Sequence, residues 1–391
     1  MNWPIKLLLV SSITPKPTGF GEITLYRHLV GESRLTVEVT PHPRTSRLVR
    51  ALRRTPLQSW LEAREVQRQG HRWDAGARAA AVAFKPQVIF TVAAGDGCHA
   101  ALRLARKQQV PLVTLFSDWW PDIVPARVSA GEEIRFRELY QSSRIALCVS
   151  EGMKRTLGEH SDARILWPIP GKSDVPETAG GMANGRDDDD KKFKVCYSGN
   201  LREYAPMLQK ALLALKTHPS VRLEVRGMAP RWPEAFREEM LAAGTYHEFA
   251  PREELERWLG SADAFLVTTA FEPAMRRMME TNFPSKLLEF ARFGKPLVAW
   301  GPDYSSLIRW AQPAGRAWCV TNPDPNALRQ ALEQLAGSRG DQERLAGEAR
   351  NAMRQEFDPV VIQERFLQAI RDAAGVHPVS GRSPVPELEL K

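Results

Sequence analysis

The chain has 391 residues, 43% hydrophobic and 26% charged, and a net charge of +8 from 54 Lys and Arg against 46 Asp and Glu. This is a globular composition long enough for two cores. No run of about eighteen apolar residues is present, so no membrane-spanning helix is expected. The four cysteines (Cys98, Cys148, Cys196 and Cys319) are scattered without metal-ligand spacing, which fits small packed hydrophobes in a reducing cytoplasm. The N-terminal apolar run Ile5–Val10 is too short for a signal peptide and lacks its flanks, so a cytoplasmic protein is expected.

Short apolar strands alternate with helical stretches, the pattern of a parallel sheet covered by helices. In the first half, strands are expected near 5–11, 34–39, 87–92, 111–116, 144–149 and 163–167. Open α/β sheets bind ligands beyond the carboxyl ends of their strands, so the residues following each strand are the candidates. Behind the first strand, Pro17-Thr18-Gly19-Phe20-Gly21-Glu22 leads into a helix over Ile23–Leu29, and Gly19 and Gly21 permit a tight turn close to a ligand. Between Arg44 and Arg72, arginines 47, 50, 53, 54, 64 and 68 interleave with Leu48, Leu52, Leu57, Trp60 and Leu61. This reads as amphipathic helix with a basic face: either a solvated surface, or one suited to an anionic membrane or a phosphorylated acceptor. No recognition motif or aromatic platform accompanies the charge, so nucleic acid is not an expected partner.

Ala93-Ala94-Gly95-Asp96-Gly97-Cys98-His99 opens the helix after the strand Val88–Val92, and His99 is a candidate proton relay or acceptor contact, with a structural role as the other reading. Ser117-Asp118-Trp119-Trp120-Pro121-Asp122 follows the strand Leu112–Phe116. Two tryptophans there need burial and two carboxylates need partners. Asp118 is a candidate for orienting an acceptor hydroxyl, for acid–base assistance, or for capping a helix.

The segment 169–192 is rich in Gly, Pro and Asp, carries the run Asp187–Asp190, and reads as a flexible linker between a first domain over 1–168 and a second over 193–358. Second-half strands are expected near 193–198, 221–226, 246–249, 263–268, 296–300 and 316–320. Before the fifth of these stands Phe283-Pro284-Ser285-Lys286-Leu287-Leu288-Glu289, with Pro284 suited to a first helical turn and Gly294 to a helix stop. Lys286 and Glu289 are three residues apart and project from one side of the helix. The helix N-terminus and Lys286 suit a diphosphate, and Glu289 suits the two hydroxyls of a ribose. Helices are then expected at Asn326–Ala336, Asp341–Phe357 and Pro359–Ala374, with a disordered tail over 376–391.

This unit resembles the donor-binding helix of retaining glycosyltransferases of the GT-B fold, with two Rossmann-like domains facing a cleft, in particular glycosyltransferase family 4. There the pattern runs Pro-x-Lys-x-x-Glu, then Gly-x-Pro and a strand. Further elements match in order. Lys194-Val195-Cys196-Tyr197-Ser198-Gly199-Asn200-Leu201-Arg202 resembles the opening strand and glycine loop of the donor domain, which implies that Arg202 contacts the diphosphate. Val221–Arg226-Gly227 resembles the next strand, Phe249-Ala250-Pro251 the loop flanking the base, and Ser261-Ala262-Asp263 the recurrent element before a strand. Gly19-Phe20-Gly21 resembles the first-domain glycine loop facing donor phosphates and acceptor, and Ser117–Asp122 a segment of members that act on lipid-linked or surface-polysaccharide precursors. Many members instead carry a histidine in the region of Ser117–Asp122, which leaves the role of Asp118 open. No Lys-Gly pair follows Arg202. The family's sugar-contacting glutamate, eight residues before the ribose one, is replaced by Thr281. Glu280, or the backbone N–H groups of Asn282 and Phe283, then take the sugar.

The resemblance implies transfer of a sugar from a nucleoside diphosphate sugar to a hydroxyl of a glycan or lipid-linked acceptor, without metal or cofactor. It further implies a final helix, Pro359–Ala374, crossing back onto the first domain; within that reading the basic Arg44–Arg72 stretch favours a membrane-associated acceptor and peripheral placement at the cytoplasmic membrane. The donor set it implies is Gly199, Asn200, Arg202, Arg226, Phe249, Thr281, Asn282, Phe283, Ser285, Lys286 and Glu289. The other readings are a non-catalytic binding or scaffold subunit of the same fold, and a sugar-nucleotide epimerase.

Overall fold

The computed structural model describes residues 4–19, 21–43, 58–124, 126–171, 192–199, 201 and 203–376, with 58–69 and 126–128 described by backbone alone. Phe20, Asn200, Arg202, the basic stretch over 44–57, most of the expected linker and the tail from 377 lie outside the described residues.

Each of the twelve strands among the described residues lies inside the range expected for it. The first sheet contains β1 (Ile5–Leu9), β2 (Leu35–Val39), β3 (Val88–Val92), β4 (Leu112–Phe116), β5 (Ile145–Cys148) and β6 (Ala163–Ile165), all parallel in the order β2-β1-β3-β4-β5-β6. The second contains β7 (Phe193–Ser198), β8 (Val221–Arg226), β9 (Tyr246–His247), β10 (Ala264–Thr268), β11 (Leu297–Trp300) and β12 (Trp318–Val320), parallel in the order β12-β11-β10-β7-β8-β9. The central strands β3, β4 and β10 are buried along their whole length, and β7 from Val195 to Ser198, because helices cover both sides. The strand order reverses between β1 and β3 in the first sheet and between β7 and β10 in the second, and those switch points open the crevices where such sheets take ligands.

The first sheet is covered by α1 (Glu22–Leu29), α2 (Gln58–Phe84), α3 (Gly95–Gln108), α4 (Ala126–Ser142) and α5 (Glu151–Leu157). The second carries α6 (Ala205–Leu215), α7 (Glu234–Ala242), α8 (Arg252–Gly260), α9 (Arg276–Thr281), α10 (Ser285–Ala291) and α11 (Ser306–Ala311), followed by α12 (Pro325–Gly337), α13 (Arg339–Gln355) and α14 (Pro359–Ala373). Local chemistry sets the helix starts: Ser150 and Ser305 cap α5 and α11, and Asp324 and Asp358 cap α12 and α14 ahead of a proline. Pro284, expected inside the first turn of its helix, is instead the residue ahead of α10. The helix stop at Gly294 has φ of 61°, where a side chain would press on Arg350.

The last helix lies on the first sheet. Phe366 packs on Phe90 at 5.3 Å and on His28 at 4.5 Å, while Asp372 accepts from Arg164 at 2.6 Å. Where the chain returns from the second domain, Trp167, Phe283, Trp310 and Phe357 form one aromatic hub, with ring separations from 4.4 to 6.0 Å. Such pairs contribute about 0.5–1.5 kcal/mol each beyond area burial. The hub ties Trp167 just after β6, Phe283 two residues ahead of α10, Trp310 on α11 and Phe357 two residues ahead of α14 into one packed unit.

Candidate functional site

At the second switch point, the chain leaves β7 at Ser198-Gly199, and the main chain at Gly227 comes so close that a side chain there would sit 2.6 Å from the Gly199 carbonyl. A side chain at Gly199 would in turn lie 3.7 Å from Lys286 Cγ. Lys286 Nζ donates to Glu289 Oε2 at 2.7 Å, both groups remaining half-open to solvent, while Leu287, Leu288, Phe290 and Ala291 bury the other side of α10. Glycine loop, ammonium and carboxylate therefore share one edge of the cleft. Ser285 is the exposed first residue of the same helix. Further along the sheet, Arg226 ends β8, buried over the Trp258 ring at 5.2 Å and bonded to Glu254 at 2.8 Å. Beyond β9, Phe249 is 78% exposed, unusual for so large an apolar ring.

The first domain meets this edge at three places. Asp118 Oδ1 accepts from Asn282 Nδ2 at 2.9 Å and Asp118 Oδ2 accepts from Ser117 Oγ at 3.1 Å, so the carboxylate caps no helix. Desolvation by surrounding protein raises the Asp118 pKa, with the bonds from Ser117 and Asn282 opposing it. Ser150, besides capping α5, donates to the Thr281 carbonyl. Gly152 lies directly against the Glu280 carbonyl, where an added Cβ would approach to 1.7 Å. A third contact is ionic: Arg277 bonds Glu133 at 2.8 Å and sits over the buried Trp119 ring at 5.2 Å.

These contacts redistribute the sugar-contact candidates. Thr281 is fully buried and its hydroxyl donates back to the Arg277 carbonyl at 2.8 Å, so its side chain is turned away from the cleft. The Asn282 N–H is taken by the Met278 carbonyl at 2.8 Å and is not available to a sugar, whereas its side chain faces Asp118. Glu280 pairs with Arg276 at 3.0 Å. Phe283 puts its ring into the aromatic hub, and its N–H has no bond among the described residues.

His99 is buried, with Nε2 held by Glu132 Oε1 at 2.8 Å. Burial alone would raise the Glu132 pKa, but bonds from His99 and Arg135 bring it below the usual carboxylate value. Gly19 and Gly21 have φ of 109° and 77°, conformations that glycine adopts readily and that suit the tight turn expected there. One residue that the sequence reading missed is Arg27 on α1. It donates to the Ile169 carbonyl at 2.7 Å, and its pKa is lowered by desolvation, with Glu289 raising and Arg252 lowering it. A first-domain arginine thus stands within electrostatic reach of the proposed ribose carboxylate, and no local motif marks it.

Two parallel six-stranded Rossmann-like sheets facing one cleft define the GT-B architecture. Residues 192–338 match the family described as glycosyl transferases group 1. No curated protein matches the chain. Among solved structures, Anabaena Alr3699/HepE in complex with UDP aligns over 94% of this chain and 100% of its own at 15% identity, with TM-score 0.62. A glycosyltransferase from Rickettsia africae covers 95% of this chain and 99% of its own at 12% identity and TM-score 0.63. WaaG, a glycosyltransferase involved in lipopolysaccharide biosynthesis, covers 94% and 99% at 13% identity and TM-score 0.58. At these identities the likeness establishes the fold. No described helix is long and apolar enough to cross a membrane.

Proposed function

We propose that the protein is a retaining glycosyltransferase that moves a sugar from a nucleoside diphosphate to an acceptor hydroxyl. The observation that carries this reading is the Lys286–Glu289 pair, open to solvent beside Gly199 at the switch point of the second sheet. As the glycosidic bond breaks, negative charge grows on the leaving diphosphate, and Lys286 is a fixed ammonium placed to meet it. Glu289 accepts from the ribose hydroxyls, with Arg27 arriving from the other domain. Phe249 offers its exposed face to the base, and Arg226 closes that end of the groove. If the acceptor hydroxyl attacks from the face the diphosphate leaves, configuration is retained without a protein nucleophile. Closing the cleft around both substrates excludes water.

UDP-sugars are the donors to try first, because HepE has been crystallised with UDP and with UDP-glucose. We place the acceptor among glycans or lipid-linked sugars of cell-surface polysaccharide or glycolipid synthesis. The role of WaaG and the basic 44–72 stretch, suited to an anionic membrane surface, support that placement. With Lys286 meeting the diphosphate charge, turnover proceeds in the presence of a chelator.

The test is incubation of the protein with UDP-sugars and a panel of surface glycans and glycolipids in EDTA, with the anomeric configuration of product read by NMR. Transfer with retention supports the proposal. Inversion at sugar C2 without acceptor would instead indicate an epimerase, the activity given for a Listeria monocytogenes protein of similar fold. Donor binding without any turnover would indicate a binding subunit.

A further inference from the structure

We infer that Arg277 is a releasable clasp joining α9 of the second domain to α4 of the first, and that Arg137 is built in as its substitute when the domains part. The clasp is made from one carboxylate and one ring. Glu133 on α4 accepts from Arg137 through Oε1 at 2.9 Å and from Arg277 through Oε2 at 2.8 Å. Both guanidiniums also lie 5.2 Å from the ring centre of Trp119, which is fully buried. Arg137 stands four residues along the same helix as Glu133 and donates to the Thr156 carbonyl at 3.0 Å. Burial alone would raise the Glu133 pKa, but the two arginines bring it below the usual carboxylate value.

The two arginines offer the same chemistry, and one of them can leave. If α9 moves away, Arg277 goes with it, whereas Arg137 stays on Glu133 and on the Trp119 ring. Each arginine uses its own carboxylate oxygen, so the departure of one leaves the other bond in place. Glu133 is then never stranded half-buried without a partner, the costly outcome when an ion pair breaks. Arg277 is 42% exposed, so water replaces its partners as it withdraws. An exposed ion pair and a cation–π contact together shift such an equilibrium by roughly threefold to thirtyfold. That is enough to favour closure and small enough to be undone.

The other contacts of this seam are of a different kind. Ser150 donates to the Thr281 carbonyl, and Gly152 lies against the Glu280 carbonyl, so both act on main chain and are insensitive to salt. The Arg277 contact is half-open and ionic, and added salt screens it. α9 runs through 282–284 into α10, so the seam lies beside the Lys286–Glu289 groove, and its release admits and discharges ligands. With six residues in α9 and seven in α5, neither helix persists without packing. Their amide exchange therefore reports whether the seam is closed.

The test is hydrogen–deuterium exchange of the full chain in peptides covering 150–157 and 276–282, in about 0.01 M and about 1 M salt, where screening lengths are about 30 Å and 3 Å. In low salt, Arg277→Gln is expected to exchange about threefold or more faster than wild type in both peptides. High salt should bring wild type toward the variant and leave the variant unchanged. Arg137→Gln should move the other way at 276–282, about twofold or more slower, because Glu133 then depends on Arg277 alone among the described residues. Glu133→Gln, which removes the shared carboxylate, should match Arg277→Gln. Melting temperatures near wild type, as expected for half-exposed positions, confirm that each variant is folded. Equal exchange in wild type and Arg277→Gln overturns the clasp. Faster exchange at 276–282 in Arg137→Gln, in step with Arg277→Gln, overturns the substitute role and leaves both arginines as plain supports of the fold.

Discussion

The two switch points have the same backbone plan and carry opposite kinds of surface. In the first sheet, the groups after β3 are turned inward and satisfied: His99 is buried on Glu132, and the Gly97 N–H donates to Ser12 Oγ at 2.9 Å. A side chain at Gly97 would meet the Ser12 nitrogen at 2.5 Å, so this crevice is filled by its own main chain. In the second sheet, the corresponding crevice ends in Lys286 and Glu289, half-open and paired only with each other among the described residues. One fold therefore supplies a packed platform in one half and an open charged groove in the other. The first domain contributes through a few groups that reach across, among them Asp118, Ser150, Gly152 and Arg27.

The contrast can be broken from either side. Lys286→Ala removes the ammonium from the open groove and is expected to lower turnover by about 10²–10³ in a donor-consumption assay, as for loss of one electrostatic stabiliser. Its melting temperature should stay near that of wild type, because half-exposed positions contribute little to stability. Turnover within a few-fold of wild type would remove Lys286 from the mechanism.

Effects in the packed half should appear in stability. His28 is fully buried, and desolvation lowers its pKa to about 4, against the opposing bond from Gln363. The unfolded chain takes up that proton near the ordinary histidine value, about 6.5, before the folded one does. Stability is therefore complete above pH 6.5 and falls as pH drops toward 4, by roughly 3 kcal/mol from this residue. Denaturant titrations across that range should show the slope, and His28→Gln should flatten it.

Gly152→Ala tests the bridge between the two halves. A methyl 1.7 Å from the Glu280 carbonyl forces α5 and α9 apart. Displacement of about 1 Å at the reacting groups lowers turnover by up to roughly 10² while UDP affinity is kept. Wild-type turnover would show that this contact does not set the cleft. The smallest effect is expected at His99. His99→Ala leaves Glu132 buried without its ring partner and costs about 1–3 kcal/mol in thermal denaturation, with turnover changed less than in Lys286→Ala. A catalytic loss equal to that of Lys286→Ala would reverse the comparison.

Much of the fold was legible because strands and caps are written locally. Runs such as Val88–Val92 and Leu297–Trp300 announce buried parallel strands, and Asp358-Pro359 announces a helix start. Lys286 and Glu289 were legible for the same reason, being one helical turn apart. What local pattern does not encode is the partner of a side chain from a distant segment. Asn282 meets Asp118 across 164 positions and Ser150 meets Thr281 across 131. The sequence reading therefore placed Thr281 and the Asn282 N–H in the sugar site, where the fold commits both elsewhere. The sequence reading singled out none of Ser150, Gly152 and Arg27.

The account stands on the second switch point being the diphosphate site, and the most direct measurement is the affinity of wild type and Lys286→Ala for UDP by titration calorimetry. Saturable binding by wild type, weakened about tenfold or more in the variant, is the predicted result. Equal affinity in the two proteins would contradict it.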